Sequence, residues 1–291
     1  MSGSPTRVLS GSVVAKEIRA DVTDAAARLE AEGRTPHLAV VVATDDESTA
    51  AYVRSISGAA RKCGIRCSVV DLGPKATSIR IRSELEALSS DPTVHGIILQ
   101  TPLPATADFD TLASALDPEK DVDGANPLSL GLLAARLPAF APATAEAVMV
   151  LLDHYEVPLS GANAVVVGRS TVVGKPAALL LLNRDATVTV CHRRTADLAA
   201  HTQGADVIVV AAGQPGLLTG KHVGSRAVVI DVGTNVDDDG NLIGDVDAAS
   251  VDGKAAALTP VPGGVGPVTT ALLLQHTITS ALRRRSGQPV S

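Results

Sequence analysis

Residues 163–176, Asn-Ala-Val-Val-Val-Gly-Arg-Ser-Thr-Val-Val-Gly-Lys-Pro, constrain the fold most. The β-branched run Val165 to Val167 suits a strand, and Gly168 interrupts it. Gly174 then opens an apolar run through Leu179 to Leu182 that suits a helix. At such a junction the unsatisfied N–H groups of the first helical turn and the helix dipole favour an anion, which is how α/β folds hold a nucleotide phosphate. The spacing is Gly-x5-Gly rather than Gly-x-Gly-x-x-Gly, so taken alone it fits an ordinary tight strand-to-helix turn equally well. A second β-branched run, residues 186–190, ends in Cys191-His192-Arg193-Arg194-Thr195. NAD binders place an acidic residue there to accept from the ribose 2′-hydroxyl. Arg193 and Arg194, joined by Arg169 in the first turn, instead form a cationic group matched to a 2′-phosphate, and predict NADP. The alternative is that Arg193 and Arg194 only solvate a loop.

The rest of the chain alternates in the same manner. Apolar residues at Ile18, Val22, Ala25 and Leu29 predict a helix over 15–31. The short apolar run 38–43 predicts a buried parallel strand, and the runs 68–72 and 96–100 predict two further strands. Between them fall a helix capped within 45–48, which carries Tyr52 and ends near Gly64, and a second over 78–88. Gln100-Thr-Pro-Leu-Pro104 turns the chain at the carboxyl end of a strand, where open α/β sheets place ligands. The polar, turn-rich segment 117–127 reads as a domain boundary. Strands at 207–211 and 227–231 continue the second set, residues 237–240 read as a tight acidic turn without a metal-binding carboxylate pair, and 269–284 predicts a closing helix. Residues 259–269 place three glycines and three prolines in eleven positions, combining fixed φ angles with close backbone approach, as a ligand-contacting loop requires. The expected architecture is two α/β domains. Residues 1–119 plus a C-terminal helix 270–291 form the first, and 120–269 form a Rossmann-like, parallel-sheet NADP-binding domain.

Composition narrows the partners. Hydrophobic residues make up 45% and aromatic residues 1% with no Trp, so the core is aliphatic and an isolated Tyr in a polar stretch stands out. A net charge of −6 and a pI near 5.6 argue against a nucleic-acid partner, which needs a basic face. Cys63, Cys67 and Cys191 have neither disulfide nor zinc spacing and read as small buried hydrophobes. No segment approaches the ~18 apolar residues of a membrane span and no leader-like stretch is present, so a cytoplasmic protein is expected.

Five motifs in order, Gln100-Thr-Pro-Leu-Pro, Asp121-Val-Asp-Gly, Gly168-Arg-Ser-Thr-Val-Val-Gly-Lys-Pro, Asp231-Val-Gly-Thr-Asn and Pro260-Val-Pro-Gly-Gly-Val-Gly-Pro, resemble the methylenetetrahydrofolate dehydrogenase/cyclohydrolase family over nearly the whole chain. The resemblance implies a homodimer of two-domain subunits, with a tetrahydrofolate derivative in the cleft and NADP on the second domain. It also implies oxidation of 5,10-methylenetetrahydrofolate to the methenyl form, then hydrolysis to 10-formyltetrahydrofolate. Tyr52 matches the tyrosine whose ring lies against the folate, Gln100 the glutamine beside the reacting carbon, and Asp123 the aspartate that binds the pterin. Pro262, Gly263 and Gly264 match the loop over the ligand, and Gly168, Arg169, Ser170, Gly174, Arg193, Arg194 and Thr234 fall where the cofactor is held. No metal site is implied.

One position departs. The family motif is Tyr-x-x-x-Lys, with both side chains on one helix face, whereas Tyr52 is followed by Val53, Arg54, Ser55 and Ile56. Lys62 aligns with the helix end without a gap, so no shift of register restores the lysine. Thr49 for serine and Ala143 for cysteine are milder changes. Hydride transfer needs the two carbons aligned and moves no proton. Hydrolysis needs acid–base catalysis, worth ~10²- to 10⁴-fold, and isoleucine carries no proton. The sequence therefore predicts a dehydrogenase with weak or absent cyclohydrolase activity. The alternatives are a fully bifunctional enzyme using water, Asp123 or Arg54, a silent folate-binding paralogue, or a dehydrogenase of another pterin.

Overall fold

The computed structural model describes residues 5–283, which form two compact units. One contains the chain up to Ala15 together with Thr144–Thr269, and the other contains Lys16–Ala143 with the chain from Thr270. The elements, in order, are β1 (Arg7–Val8), α1 (Gly11–Ala31), β2 (His37–Val42), α2 (Glu47–Lys62), β3 (Arg66–Asp71), α3 (Ser78–Ser90), β4 (Gly96–Leu99), α4 (Phe109–Ala113), α5 (Pro127–Ala134) and α6 (Ala143–His154). They continue with β5 (Asn163–Val167), α7 (Gly174–Asn183), β6 (Thr187–Cys191), α8 (Leu198–Thr202), β7 (Val207–Val210), β8 (Val228–Asp231), β9 (Asn235–Val236), β10 (Leu242–Ile243), α9 (Ala248–Val251), β11 (Ala257–Leu258) and α10 (Val265–Arg283).

The unit containing Thr144–Thr269 is built on a six-stranded sheet in the order β1-β11-β8-β7-β5-β6, all of whose pairs are parallel. Val167 pairs with both Cys191 and Val210, and Val210 with Asp231, so β6, β5, β7 and β8 end level at their carboxyl edge. The loops that leave that edge begin at His192, Gly168, Ala211 and Val232. In open α/β sheets this edge is where ligands bind. With almost no aromatic residues available, the core is aliphatic: Val165, Val167, Ile208, Val210, Val229 and Val251 pack together with little or no exposed surface.

The other unit carries a parallel three-stranded sheet, β3-β2-β4. Every residue of β2 is buried, as a central strand with both faces covered requires. α2 starts on Asp46, whose carboxylate accepts from Thr49 N at 2.7 Å, an N-cap of the kind that satisfies a first-turn amide. Its buried stripe is Thr49, Val53, Ile56 and Ala60.

Two expected boundaries move. Residues 1–15 were expected with the 1–119 domain, but β1 adds to the edge of the six-stranded sheet through Arg7↔Ala257 and Val8↔Leu258. Residues 120–143 were expected in the 120–269 domain, yet Ile97 N donates to Lys120 O at 2.7 Å and Ile97 pairs with Asp121, which ties this segment to β4. The turn-rich segment 117–127 is thus a docked edge of one unit and not the divide. α1 begins at Gly11 and α10 at Val265, each four residues before the expected start. For α10 the reason is local: Pro267 sits in the first turn, where its missing N–H leaves no intrahelical bond unmade. The end of the expected 270–291 helix and the tail past Arg285, expected to fray, lie outside the described residues.

Candidate active site

Tyr52, Gln100 and Asp123 all lie in the unit that holds β2 and β4, and the charge of Asp123 acts on the Tyr52 hydroxyl. Gln100 follows β4, and its Nε2 donates to Thr101 O at 3.0 Å. Thr49 Oγ1, one turn before Tyr52, lies 3.3 Å from the same carbonyl, so α2 and the strand end share an anchor. Asp121 bridges in parallel to Ile97 of β4, and Asp123 follows in the turn closed by Gly124 N donating to Asp121 O at 3.0 Å. Gly124 fixes the turn: its φ is 64°, and a Cβ there would lie 2.5 Å from Ala141 C and Pro142 N.

Burial and charge set the chemistry of this cluster. The Tyr52 ring keeps 37% of its surface exposed, as a face on which a flat ligand can lie. Its hydroxyl end is enclosed, accepts a hydrogen bond from Thr270, and is held protonated by burial first and by the charge of Asp123 second. Asp123 is half-buried, and among the described residues nothing donates a hydrogen bond to its carboxylate. Burial, then the neighbouring Asp121, pushes it up to about 7, with His276 pulling the other way. A carboxyl group poised there exchanges a proton near neutral pH. Ile56, one turn after Tyr52, is completely buried, and no proton-carrying side chain occupies that position.

The carboxyl edge of the six-stranded sheet carries the expected cofactor residues. Gly168 has φ 137°, and a Cβ there would run into Ala211 O; a Cβ on Gly174 would meet Gly168 O. Both glycines are therefore demanded by close backbone packing at this turn. Ser170 Oγ accepts from Val173 N at 3.2 Å and Gly174 N at 3.3 Å, and Ser170 O accepts from Lys175 N at 3.0 Å. The first-turn amides of α7 are thus partly occupied from within, which weakens the expectation of a bare helix N-terminus. The cationic group is intact: Arg169, Arg193 and Arg194 are exposed, and among the described residues their guanidiniums bond no other group. Gly168 N donates to Cys191 O at 2.9 Å, which holds the Arg169 and Arg193 loops side by side. Such a group fits an anionic cofactor moiety. Thr234 is exposed in the loop after β8. Pro262 is exposed and Gly263 half-buried, and Gly263 O accepts from Gly11 N at 2.8 Å, so the start of α1 fixes this loop within the same unit.

Several supporting residues had no role assigned from sequence. Lys120 is wholly buried, its Nζ donating to Leu88 O at 3.1 Å and Asp91 O at 2.6 Å, which ties the Asp121–Asp123 turn to the end of α3. His192, without an expected role, accepts from Arg194 N at 3.2 Å through Nδ1 and shapes the arginine turn. Asp231 and Asp245 are buried. Asp231 Oδ1 accepts from Gly233 N at 2.9 Å and Asp245 N at 3.0 Å, and Oδ2 from Val246 N at 3.0 Å; burial still raises this carboxyl to about 6. Residues 237–240 form the turn of the β9–β10 hairpin. Among the described residues no cluster of three or more His, Cys, Asp or Glu could hold a metal, and no helix is long and apolar enough to cross a membrane.

Comparison with known proteins agrees with both units. Residues 9–123 match the model of the tetrahydrofolate dehydrogenase/cyclohydrolase catalytic domain, and residues 142–285 that of the same family's NAD(P)-binding domain. The chain is 68% identical over 280 residues to bifunctional protein FolD 1 of Saccharopolyspora erythraea, covering 96% of each. It is 64% identical over 276 residues to the protein of the same name from Rhodococcus jostii, covering 95% of this chain and 93% of that one. The two-domain fold matches the bifunctional FolD of Campylobacter jejuni with TM-score 0.93 at 39% identity, covering 96% of this chain and 99% of the other. It also matches the Trypanosoma brucei enzyme, solved with NADP and an inhibitor, with TM-score 0.93 at 40% identity, covering 97% and 99%. The chain belongs to the tetrahydrofolate dehydrogenase/cyclohydrolase family.

Proposed function

We propose that this protein oxidises 5,10-methylenetetrahydrofolate to the 5,10-methenyl form with NADP, and hydrolyses the methenyl form to 10-formyltetrahydrofolate. The observation that carries the reading is Asp123: half-buried, without a hydrogen-bond donor from the described protein, and near enough to Tyr52, itself part-exposed, for its charge to act on the hydroxyl. The pterin ring stacks on Tyr52 and donates its N–H groups to Asp123, which brings the reacting carbon to Gln100. Pro262, Gly263 and Gly264 form a ligand-contacting loop of their own unit, and Thr234 with Gly168, Arg169, Ser170 and Gly174 hold the cofactor. NADP, when bound, supplies the hydride acceptor. Arg193 and Arg194 select its 2′-phosphate over a hydroxyl.

The names of the two close relatives favour the bifunctional reading over the weak or absent cyclohydrolase expected from sequence. With Ile56 at the usual lysine position, the hydrolytic step falls to Asp123: water adds to the methenyl carbon and loses one proton to solvent by way of Asp123, then the resulting hydroxyl loses its second as N5 gains one and the C–N5 bond breaks to leave the N10-formyl group. Ile56 favours a second reading, a dehydrogenase that releases its methenyl product. A homodimer is proposed as the working assembly. β6 ends the sheet with Val190 41% exposed, an edge open to pairing, and equilibrium sedimentation tests it.

Purified protein given methylenetetrahydrofolate and NADP should form NADPH and 10-formyltetrahydrofolate, and should accelerate the decay of authentic methenyltetrahydrofolate. NADPH with accumulating methenyl compound selects the second reading. No NADPH rejects both.

A further inference from the structure

His276 lies on α10, is 6% exposed, and its Nδ1 is 2.8 Å from Val122 O, the carbonyl between Asp121 and Asp123. A carbonyl only accepts, so Nδ1 carries a proton. The ring stacks on Phe140, with centroids 4.8 Å apart and planes 30° from parallel. The imidazole is therefore fixed in position with Nδ1 protonated, against the turn that presents Asp123.

The charge pattern around it asks for a cation. Asp121 is fully buried, and its Oδ1 has no hydrogen-bond partner, while Oδ2 accepts from Asn126 N at 2.7 Å. Asp123 follows two residues on. Two carboxylates this close oppose each other's ionisation, and a buried cation between them offsets that repulsion. Lys120 is on the same segment but points to the carbonyls of Leu88 and Asp91 at the end of α3. From α10, the Arg283 guanidinium lies over the Phe140 ring, 4.9 Å from its centroid. From α2, the group that faces Asp123 is Tyr52, which stays neutral. His276 is thus the proton-carrying group placed against the turn itself.

We propose that His276 is a positioning residue of the folate site: its ring anchors the Asp121–Val122–Asp123 turn and holds a positive charge beside it, so that Asp123 meets the pterin as a carboxylate. An ionised Asp123 accepts from two pterin N–H groups and can take the proton of attacking water. A protonated one does neither fully. This proposal rests on the folate-site reading above, and extends it from the residue that touches the ligand to the one that sets its charge.

The test compares wild type with His276→Gln, which keeps an N–H donor for Val122 O but carries no charge at any pH, and with His276→Phe, which loses both. In ligand-free protein the Asp123 carboxyl is titrated by carbon-13 NMR, its signal assigned through Asp123→Asn. His276→Gln should move the titration midpoint up by roughly one unit while leaving the melting temperature near that of wild type. The low-pH limb of kcat/KM for the dehydrogenase should shift by the same amount, through KM. An unchanged midpoint in His276→Gln overturns the proposal and leaves His276 as a turn anchor only. Because the titration needs no ligand, a protein with no folate activity but a shifted midpoint would reject the functional reading while supporting the proposal.

Discussion

Asp245 offers the most quantitative test of how the cofactor edge is built. Its side chain is wholly buried. Oδ2 accepts from Ala212 N at 2.6 Å and Gly213 N at 2.9 Å, and Oδ1 from Gln214 N at 2.8 Å and Asn235 Nδ2 at 2.9 Å. One carboxylate thus holds the loop after β7 beside the Gly168 turn. Asp245→Ala takes the acceptor from three backbone amides of the exposed segment 212–214 and from the Asn235 side chain, bonds to a charged group that contribute about 1.5–3 kcal/mol each before water replaces them. With partial relaxation and water entry, about 3–5 kcal/mol of stability should be lost, a large share of the ~5–15 kcal/mol available to a folded domain. Asp245→Asn keeps one acceptor oxygen and turns an NH₂ toward the other donors, so roughly half that loss is expected. Asp245→Glu keeps the charge, but the site is tight: a Cβ on Gly233 would already sit 2.7 Å from the Asp245 carboxyl carbon. It should therefore fall well below wild type. Urea unfolding of the three variants, with NADP affinity measured by titration calorimetry, gives both readouts. An Ala variant within about 1 kcal/mol of wild type, or a Glu variant equal to it, would refute the reasoning.

Further outcomes follow from the same geometry. Replacing Arg193 and Arg194 together by Ala should raise KM for NADP by about 10- to 100-fold and leave NAD nearly unchanged, since charge-assisted bonds contribute about 1.5–3 kcal/mol; steady-state kinetics with both cofactors checks this. Ile56→Lys, by restoring the family's Tyr-x-x-x-Lys spacing, should speed methenyl decay by ~10-fold or more and lower stability by about 2–4 kcal/mol through the loss of a buried apolar side chain, as read by decay assays and urea melts. Asp121 has a folded pKa near 6 against 3.8 for the unconstrained group. Its sign is that of a raised carboxyl: the contribution is fully present below about pH 4 and lost as pH rises through 6, about 3 kcal/mol in all. Asp121→Asn should flatten that part of the pH dependence in urea melts between pH 4 and 8.

Much of this was legible because it follows from short-range chemistry. The β-branched runs that end before Gly168 and at Cys191 are strands, the first buried and the second an exposed sheet edge, and the arginines after them are exposed. Tyr52, Gln100 and Asp123 were named only through the resemblance of their motifs to a family. What escaped was long-range. β1 pairs with β11 across some 250 residues of chain, and its two-residue length gives no periodicity to detect. Asp117–Pro127 looked like a linker because it is polar, yet Lys120 and Asp121 are wholly buried, the Lys120 Nζ bonded to carbonyls 32 and 29 residues earlier and Asp121 Oδ2 to the nearby Asn126 amide. His276 sits in a helix whose pattern marks only a core face. Its role depends on a turn more than 150 residues away.

Transfer of deuterium bears most directly on the hydride chemistry assigned to this site. Methylenetetrahydrofolate labelled with deuterium at the methylene carbon, mixed with enzyme and NADP, should yield NADPH carrying the label at the nicotinamide C4, and Asp123→Ala should abolish the transfer. Unlabelled NADPH, or transfer that survives loss of Asp123, would contradict it.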